Sequence, residues 1–125
     1  MTLLHQELTS SILKCAYKVH SALGPGLLES AYEECLLYEL DKAGLEVFKQ
    51  KPMPLVYEDR KLDVGYRIDL FVESKVIIEI KSVDALNPVH FAQLVTYMKI
   101  ARCRIGFLIN FNVVPLKDGI KRIII

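Results

Sequence analysis

The spacing of apolar residues changes at Gly44, and this change constrains the fold more than any other feature of the sequence. Before Gly44, apolar residues recur every three or four positions. This spacing predicts two helices, His5 to Ala22 and Leu27 to Ala43, separated by the Gly-Pro-Gly turn at 24–26. After Gly44 the spacing shortens to two, which predicts strands. The chain therefore begins with a helical part and continues with a sheet.

The strands predicted after Gly44 are short and separated by polar or proline-containing turns. Pro52 and Pro54 end the first strand or place it at an edge of the sheet. A third helix is predicted from Pro88 to Ala101. The order ααβββ(β)αββ in a chain of 125 residues indicates one α/β domain spanning 1–125, a mixed sheet flanked by helices. The predicted strands are 45–50, 55–57 with Leu62 across a turn, 66–72, 76–83, 104–110 and 120–125.

The composition excludes several classes of protein. Hydrophobic residues make up 52% of the chain and charged residues 25%, which excludes disorder of the whole chain. Sixteen lysines and arginines oppose 15 acidic residues, so a strongly basic nucleic-acid coat is excluded. The acidic excess lies in 1–48 and the basic excess in 49–125. This division leaves room for a local basic groove beside an acidic pocket, with salt-sensitive affinity for nucleic acid.

The cysteines and the first residues indicate the cellular compartment in which we expect the protein. Cys15, Cys35 and Cys103 are far apart and odd in number, so neither a disulfide framework nor a zinc ribbon is predicted. The first residues lack the pattern of a signal peptide, and no run reaches the ~18 apolar residues of a membrane span. We therefore expect a soluble, cytoplasmic protein with no membrane partner.

An apolar hairpin in the middle of the chain carries two carboxylates. If this hairpin is centred on Ser74, Leu70 pairs with Ile78 and Asp69 lies opposite Glu79. A two-residue loop would shift the register by one residue and lose this alignment. Opposed carboxylates in apolar strands repel each other, and desolvation strengthens the repulsion. A divalent cation would remove the conflict, and oxygen ligands favour magnesium or manganese over zinc.

Lys81 follows Glu79 by two residues, so in a strand both side chains lie on the same face. A lysine beside a carboxylate-bound metal can hold an attacking water or stabilise a developing anion. A simpler interpretation also stands at this point. Glu79 and Lys81 could form the solvated face of an edge strand, with Asp69 paired to a nearby arginine.

The spacing of Asp69, Glu79 and Lys81 resembles the PD-(D/E)xK nuclease signature, although Ile68 stands where the signature has a proline. The segment 26–32, GLLESAY, resembles the motif of the GxxExxY protein family, a small group within that superfamily. The resemblance covers nearly the whole chain, from about 5 to 124. Its other matches are Val19-His20, 23–26, Gln93 with Tyr97, and 106–111.

The resemblance implies a restriction-endonuclease-like core with a mixed four-stranded sheet flanked by helices. It also implies a metal bound by Asp69 and Glu79, commonly with the backbone carbonyl of Ile80 as a third ligand. Lys81 would position the water or stabilise the phosphorane. Glu29 matches an extra acidic residue that some members bring to the metal through water.

Four of the site candidates also have simpler alternatives. Gln93 and Tyr97 resemble the QxxxY pair of the RecB-like and phage-exonuclease branch and share one helix face, although Tyr97 could be core and Gln93 solvated. His20 could join the site or simply favour the end of its helix. Glu29 likewise could only complement the start of its helix.

The resemblance and the intact acidic and lysine positions predict a nuclease that uses Mg²⁺ or Mn²⁺ to hydrolyse phosphodiester bonds of nucleic acid, with DNA as the expected substrate. The alternative is a non-catalytic nucleic-acid- or partner-binding module on a nuclease fold. A third interpretation is a structural dimer formed through the apolar tail 123–125. The choice between DNA and RNA, strandedness, endo- or exonuclease action, the number of metals and the oligomeric state stay open, and a homodimer is one expectation.

Overall fold

The computed structural model describes residues 5–125. The predicted mixed α/β fold is confirmed, with a five-stranded mixed sheet flanked by helices. In chain order the elements are α1 (Gln6–Leu23), α2 (Glu29–Lys42), β1 (Val47–Pro52), β2 (Leu55–Tyr57), β3 (Arg60–Leu62), β4 (Arg67–Val72), β5 (Val76–Lys81), α3 (Pro88–Ala101), β6 (Ile105–Asn110), a short 3-10 helix (Leu116–Gly119) and β7 (Ile120–Ile124).

The main sheet has the strand order β1-β4-β5-β6-β7. Only the β5–β6 pair is parallel, and α3 makes the connection between these two strands. The other neighbours are antiparallel. The sheet has one strand more than the four that the resemblance implied. β5 lies in the middle of the sheet, and β1 lies at an edge and ends at Pro52, as the prolines predicted.

The segment between β1 and β4 differs from the predicted order. β2 and β3 form a separate antiparallel hairpin, so five strands precede α3 where the sequence predicted three or four. Each of the two strands has only three residues, too few to show a period of two on its own. Glu58 in the turn adopts a φ of 55°, which lets the chain reverse within two residues.

The apolar core lies on both faces of the main sheet. α1 and α2 cover one face, and α3 covers the other. Because both faces are covered, the central strands read as nearly continuous apolar runs instead of alternating ones. β6 is buried along its whole length, and β5 is buried except at Lys81.

Local capping fixes where α3 begins. The Asn87 side chain accepts a hydrogen bond from the Val89 amide at 2.9 Å, and Pro88 occupies the first helical position. The His90 ring nitrogen Nδ1 accepts a hydrogen bond from the Asn87 amide at 3.2 Å. The helix ends at Ala101, and the next residue, Arg102, caps it with a left-handed φ of 54°. These contacts fix the limits of α3.

Cys15, Cys35 and Cys103 are all free thiols, in agreement with the sequence prediction. Within residues 5–125, no helix combines the length and the apolar character that a membrane crossing requires.

The close packing of α3 on β6 depends on Gly106. A Cβ atom at this position would lie 2.7 Å from the Met98 sulfur and 2.9 Å from Leu94 Cδ1. We expect Gly106→Val to lower the free energy of unfolding by about 1–3 kcal/mol, because the added atoms force α3 away from the sheet. Urea unfolding measures this change, with Lys121→Val on exposed β7 as the control. Equal stability of the two variants would contradict the packing described.

Candidate active site

The backbone pairing of β4 and β5 stops at the two carboxylates. The hairpin has the predicted register, which pairs Val72 with Val76, Phe71 with Ile77 and Leu70 with Ile78. At the next position, Asp69 and Glu79, hydrogen bonds from backbone amides to side-chain carboxylates replace the backbone-to-backbone pairing. The Asp69 amide donates to Glu79 Oε2 at 2.8 Å, and the Ile80 amide donates to Asp69 Oδ2 at 2.8 Å. Asp69 and Glu79 are therefore opposed as predicted, and each accepts a hydrogen bond from the other's strand.

β4 is irregular at Asp69. Residues two apart in a regular strand share one face of the sheet. Ile68 nevertheless packs in the cluster on the α3 side, whereas Leu70 packs in the cluster under α1 and α2. The change of face occurs at Asp69, which also lacks a backbone pair on β5.

Burial and mutual repulsion raise the pKa values of both carboxyl groups. Only 4% of Glu79 is exposed. Burial, and next the charge of Asp69, raises the pKa of Glu79 to about 8, against the opposing effects of the Asp69 amide and Lys81. Burial also raises the pKa of Asp69, although hydrogen bonds from Ile80 and Gln50 and the charge of Lys81 oppose the shift. Without a cation, burial and the charge of Asp69 therefore favour the protonated form of Glu79 and raise its pKa.

Lys81 lies beside this pair at the end of β5. It is half-buried, and its charge favours the ionised forms of both Asp69 and Glu79. The interpretation as a solvated edge strand is wrong, because β5 is the central strand and Glu79 is buried. Within residues 5–125, no arginine forms an ion pair with Asp69.

Glu29 is exposed and is the first residue of α2. Its Oε2 accepts a hydrogen bond from the Ser82 amide at 3.2 Å, and the Ser82 hydroxyl donates to the Leu27 carbonyl at 2.6 Å. These bonds tie the start of α2 to the chain that follows β5. The charge of Glu29 contributes to the raised pKa of Asp69, so Glu29 lies at the margin of the acidic pair.

Gln93 and Tyr97 share one face of α3, as predicted from their spacing. Gln93 Nε2 donates to the Tyr97 hydroxyl at 3.2 Å. Burial raises the pKa of Tyr97, and the charges of Glu79 and Asp69 add to the effect. Tyr97 also belongs to the apolar cluster under α3, so the alternative that it is core holds as well. The two residues line an apolar groove of about 310 Å³ together with Met53, Leu55, Tyr66, Val89 and Ile100.

His20 lies in the last turn of α1. Its ring centroid is 6.4 Å from that of Phe111. Its Nε2 atom is buried and has no hydrogen-bond partner among the described residues. The structure thus brings Asp69, Glu79, Ile80 and Lys81 together, places Glu29, Gln93 and Tyr97 around them, and gives His20 no contact with the carboxylates in the described part of the chain.

Two residues of this site were not predicted from the sequence. Glu33 on α2 is only 7% exposed. Gln50 Nε2 donates to Glu33 Oε2 at 2.9 Å and to Asp69 Oδ1 at 3.2 Å. Helical spacing offered a signal for Glu33, because it lies three residues before Leu36 and seven before Leu40, on the buried face. No comparable signal marks Gln50.

The chemistry of the donor set decides which cation fits here. The described residues contain no group of three or more His, Cys, Asp or Glu side chains arranged to hold a metal. Each carboxylate has more lone pairs than its hydrogen bonds occupy, so both Asp69 and Glu79 keep capacity for a further ligand. Mg²⁺ commonly binds through one or two carboxylates and keeps several waters. The pair fits an ion of this kind and does not fit one that needs a full set of protein ligands.

Comparison with known families agrees with this geometry. A family model described as the PD-(D/E)XK nuclease superfamily matches residues 6–123. The chain belongs to the PD-(D/E)XK nuclease superfamily. No curated protein and no solved structure matches the chain. PD-(D/E)XK nucleases generally use divalent metals, and the superfamily implies a nucleic-acid substrate.

The raised pKa of Glu79 predicts how pH changes the stability of the metal-free nuclease-family domain. Folding raises this pKa from 4.5 to about 8, so between these values the folded protein holds a proton that the unfolded chain releases. The contribution of Glu79 to the free energy of unfolding therefore falls as pH rises from 4.5 to about 8 and is constant above it.

Urea unfolding in the presence of a chelator, at pH 5 to 9, measures this dependence. Glu79→Gln cannot ionise and is the matched variant. We expect the wild type to lose stability relative to Glu79→Gln as pH rises, since only the wild type must ionise a buried group. Parallel pH profiles for the two proteins would contradict the assignment.

Proposed function

We propose that this chain is a divalent-metal-dependent nuclease that hydrolyses phosphodiester bonds of nucleic acid. One observation carries the proposal. In the centre of the sheet, Asp69 and Glu79 interrupt the strand pairing beside Lys81, with Glu79 buried and Asp69 half-buried. Opposed buried carboxylates cost stability unless a cation compensates them, and a protein that keeps them beside a lysine has the groups that metal-assisted hydrolysis requires.

Asp69 and Glu79 are the proposed metal ligands, with the Ile80 carbonyl as a third ligand and Glu29 acting through water. Mg²⁺ or Mn²⁺ bound there would polarise the phosphate and lower the pKa of a bound water. The position of Glu29 at the margin of the pair supports a contact through water rather than direct ligation.

Lys81 is the proposed group for orienting the attacking water and stabilising the charge that develops on the phosphate. Its half-buried position next to the carboxylates supports this role, because a cation in a site of low dielectric interacts strongly with a developing anion. Gln93 and Tyr97 line the neighbouring groove and are proposed to contact the substrate. His20 makes no side-chain hydrogen bond to these groups within residues 5–125, so we assign it no step.

The finer assignments rest on the sequence resemblance. We place the chain in the GxxExxY group because of the motif at 26–32, whose last residue, Tyr32, fixes the preceding turn. Its hydroxyl donates to the Gly24 carbonyl at 2.6 Å and accepts from the Leu27 amide at 3.1 Å. DNA as substrate, a homodimer, a single domain over 1–125 and a cytoplasmic location stay predictions from the sequence.

A nuclease assay with variants tests the proposal. Wild-type protein is incubated with single-stranded, double-stranded and branched DNA and RNA in Mg²⁺ or Mn²⁺. We expect cleavage that Glu79→Gln and Lys81→Ala each reduce about 100-fold or more. Glu79→Gln removes a proposed metal ligand, and Lys81→Ala removes the cation proposed to stabilise the charge that develops on the phosphate.

Lys75→Ala is the matched control for Lys81→Ala. Lys75 is exposed in the turn at the other end of β5, so its loss removes an equal charge far from the carboxylates. We expect this variant to keep wild-type activity. Cleavage at the wild-type rate by both Glu79→Gln and Lys81→Ala would refute the proposed site. Metal-dependent binding of nucleic acid without cleavage would instead support the non-catalytic module.

A further inference from the structure

The edge strand β1 has an unusual backbone at one residue, directly opposite Asp69. β1 and β4 pair at Lys49–Leu70 and again at Lys51–Ile68, but the intervening pair, Gln50 with Asp69, is missing. Gln50 has a φ of 52°, a left-handed value that residues other than glycine seldom adopt. Such strained residues persist only where the surrounding structure enforces them, and they cluster at functional sites.

The Gln50 side chain joins two carboxylates that belong to different elements. Its Nε2 atom lies 3.0 Å and 2.9 Å from the two oxygens of Glu33 and 3.2 Å from Asp69 Oδ1. A carboxylate accepts hydrogen bonds, so the NH₂ group and not the carbonyl of the amide faces both partners. The amide has two hydrogens, and one is available for each carboxylate.

Glu33 anchors the amide from α2. This glutamate is 7% exposed, and burial raises its pKa while the hydrogen bond from Gln50 opposes the shift. α2 packs on β1, β4 and β5, so its buried face is fixed relative to the carboxylate pair. A side chain held by such a helix can fix the orientation of Gln50.

We propose that Gln50, held by Glu33, is a positioning residue that fixes the Asp69 carboxylate for metal binding. The inference rests on the proposed function and deepens it. The Ile80 amide holds Asp69 Oδ2 from β5, and the Gln50 amide holds Oδ1 from β1. Two donors from opposite sides fix the plane of the carboxylate and leave its other lone pairs for the cation.

Calorimetric titration with Mn²⁺ tests the inference without an activity readout. Gln50→Met removes both donors at nearly constant length, and Gln50→Gly removes them while suiting the left-handed backbone. We expect each to weaken Mn²⁺ binding by about 10- to 100-fold, the usual effect of losing a group that orients a metal ligand. Melting temperatures are measured in parallel. Gln50→Gly is expected to melt at least as high as Gln50→Met, so weaker binding by both variants is not an effect of stability.

Substitutions of Glu33 separate positioning from metal ligation. Glu33→Leu removes the acceptor and is expected to weaken Mn²⁺ binding as much as Gln50→Met does. Glu33→Gln keeps an acceptor oxygen for the Gln50 amide and is expected to stay within about threefold of wild type, well inside the effect of losing the contact. Glu34→Leu is the matched control, because Glu34 is the exposed neighbour that pairs with Lys49, and it is expected to bind Mn²⁺ normally.

The outcomes distinguish this inference from the proposed function. If wild type binds Mn²⁺ and Asp69→Ala does not, but the Gln50 variants bind normally, the positioning role is overturned and the metal site stands. If Glu33→Gln loses as much affinity as Glu33→Leu, Glu33 acts by its charge and the relay through Gln50 is overturned.

If wild type binds no Mn²⁺, the proposed function fails first. Crystal structures of the metal-free wild type and Gln50→Met then decide the inference separately. Loss of the Asp69 orientation in the variant supports positioning by the amide, and an unchanged carboxylate overturns it.

Discussion

The replacement of one backbone pair by two carboxylates at the centre of the sheet determines how the rest of this structure is arranged. β4 and β5 pair normally up to Leu70 and Ile78, and beyond them Asp69 and Glu79 accept the amide hydrogens that a regular ladder would use. This arrangement satisfies the backbone but places a half-buried acid, Asp69, beside a buried one, Glu79, which costs stability while both are ionised. A proton on Glu79 relieves the conflict in the metal-free protein, and a divalent cation would relieve it in the proposed enzyme.

The surrounding elements each contribute a group that changes the ionisation or the hydrogen bonding of this carboxylate pair. β5 itself provides Lys81, whose charge favours the ionised forms. β1 contributes Gln50, which donates to Asp69, and α2 contributes Glu33, which holds Gln50. α3 contributes Tyr97, whose pKa the charges of Glu79 and Asp69 help to raise. The acidic excess of the first 48 residues thus includes a buried glutamate at the site, in addition to solvated charge on the helices.

The sequence predicted the parts of the fold that depend on local spacing. The helical periods, the proline-marked edge strand and the limits of α3 follow from neighbouring residues, and the hairpin register follows from the short turn centred on Ser74. The β2–β3 hairpin was less visible because three-residue strands are too short to show a period. The change of face between Ile68 and Leu70 was not predictable from alternation, because it arises where Asp69 leaves the regular pairing.

The sequence predicted the acidic pair and its lysine but not the residues that hold Asp69 in place. Asp69, Glu79 and Lys81 lie on consecutive strands, so a register alone brings them together. Gln50 and Glu33 meet Asp69 only after the edge strand docks on β4 and α2 docks on the sheet. Contacts of this kind depend on tertiary packing and are hardly predictable from the spacing of residues in the sequence.

Anomalous X-ray scattering from crystals of the wild-type protein grown with Mn²⁺ tests the central claim most directly. We expect an anomalous peak at a Mn²⁺ ion bound by the carboxylates of Asp69 and Glu79, with Lys81 beside the ion and Gln50 still donating to Asp69. No peak is expected at that position in Glu79→Gln crystals grown under the same conditions. Two results would contradict the proposed site. One is the lack of a peak between Asp69 and Glu79 in wild-type crystals at saturating Mn²⁺, and the other is an equal peak in wild type and Glu79→Gln.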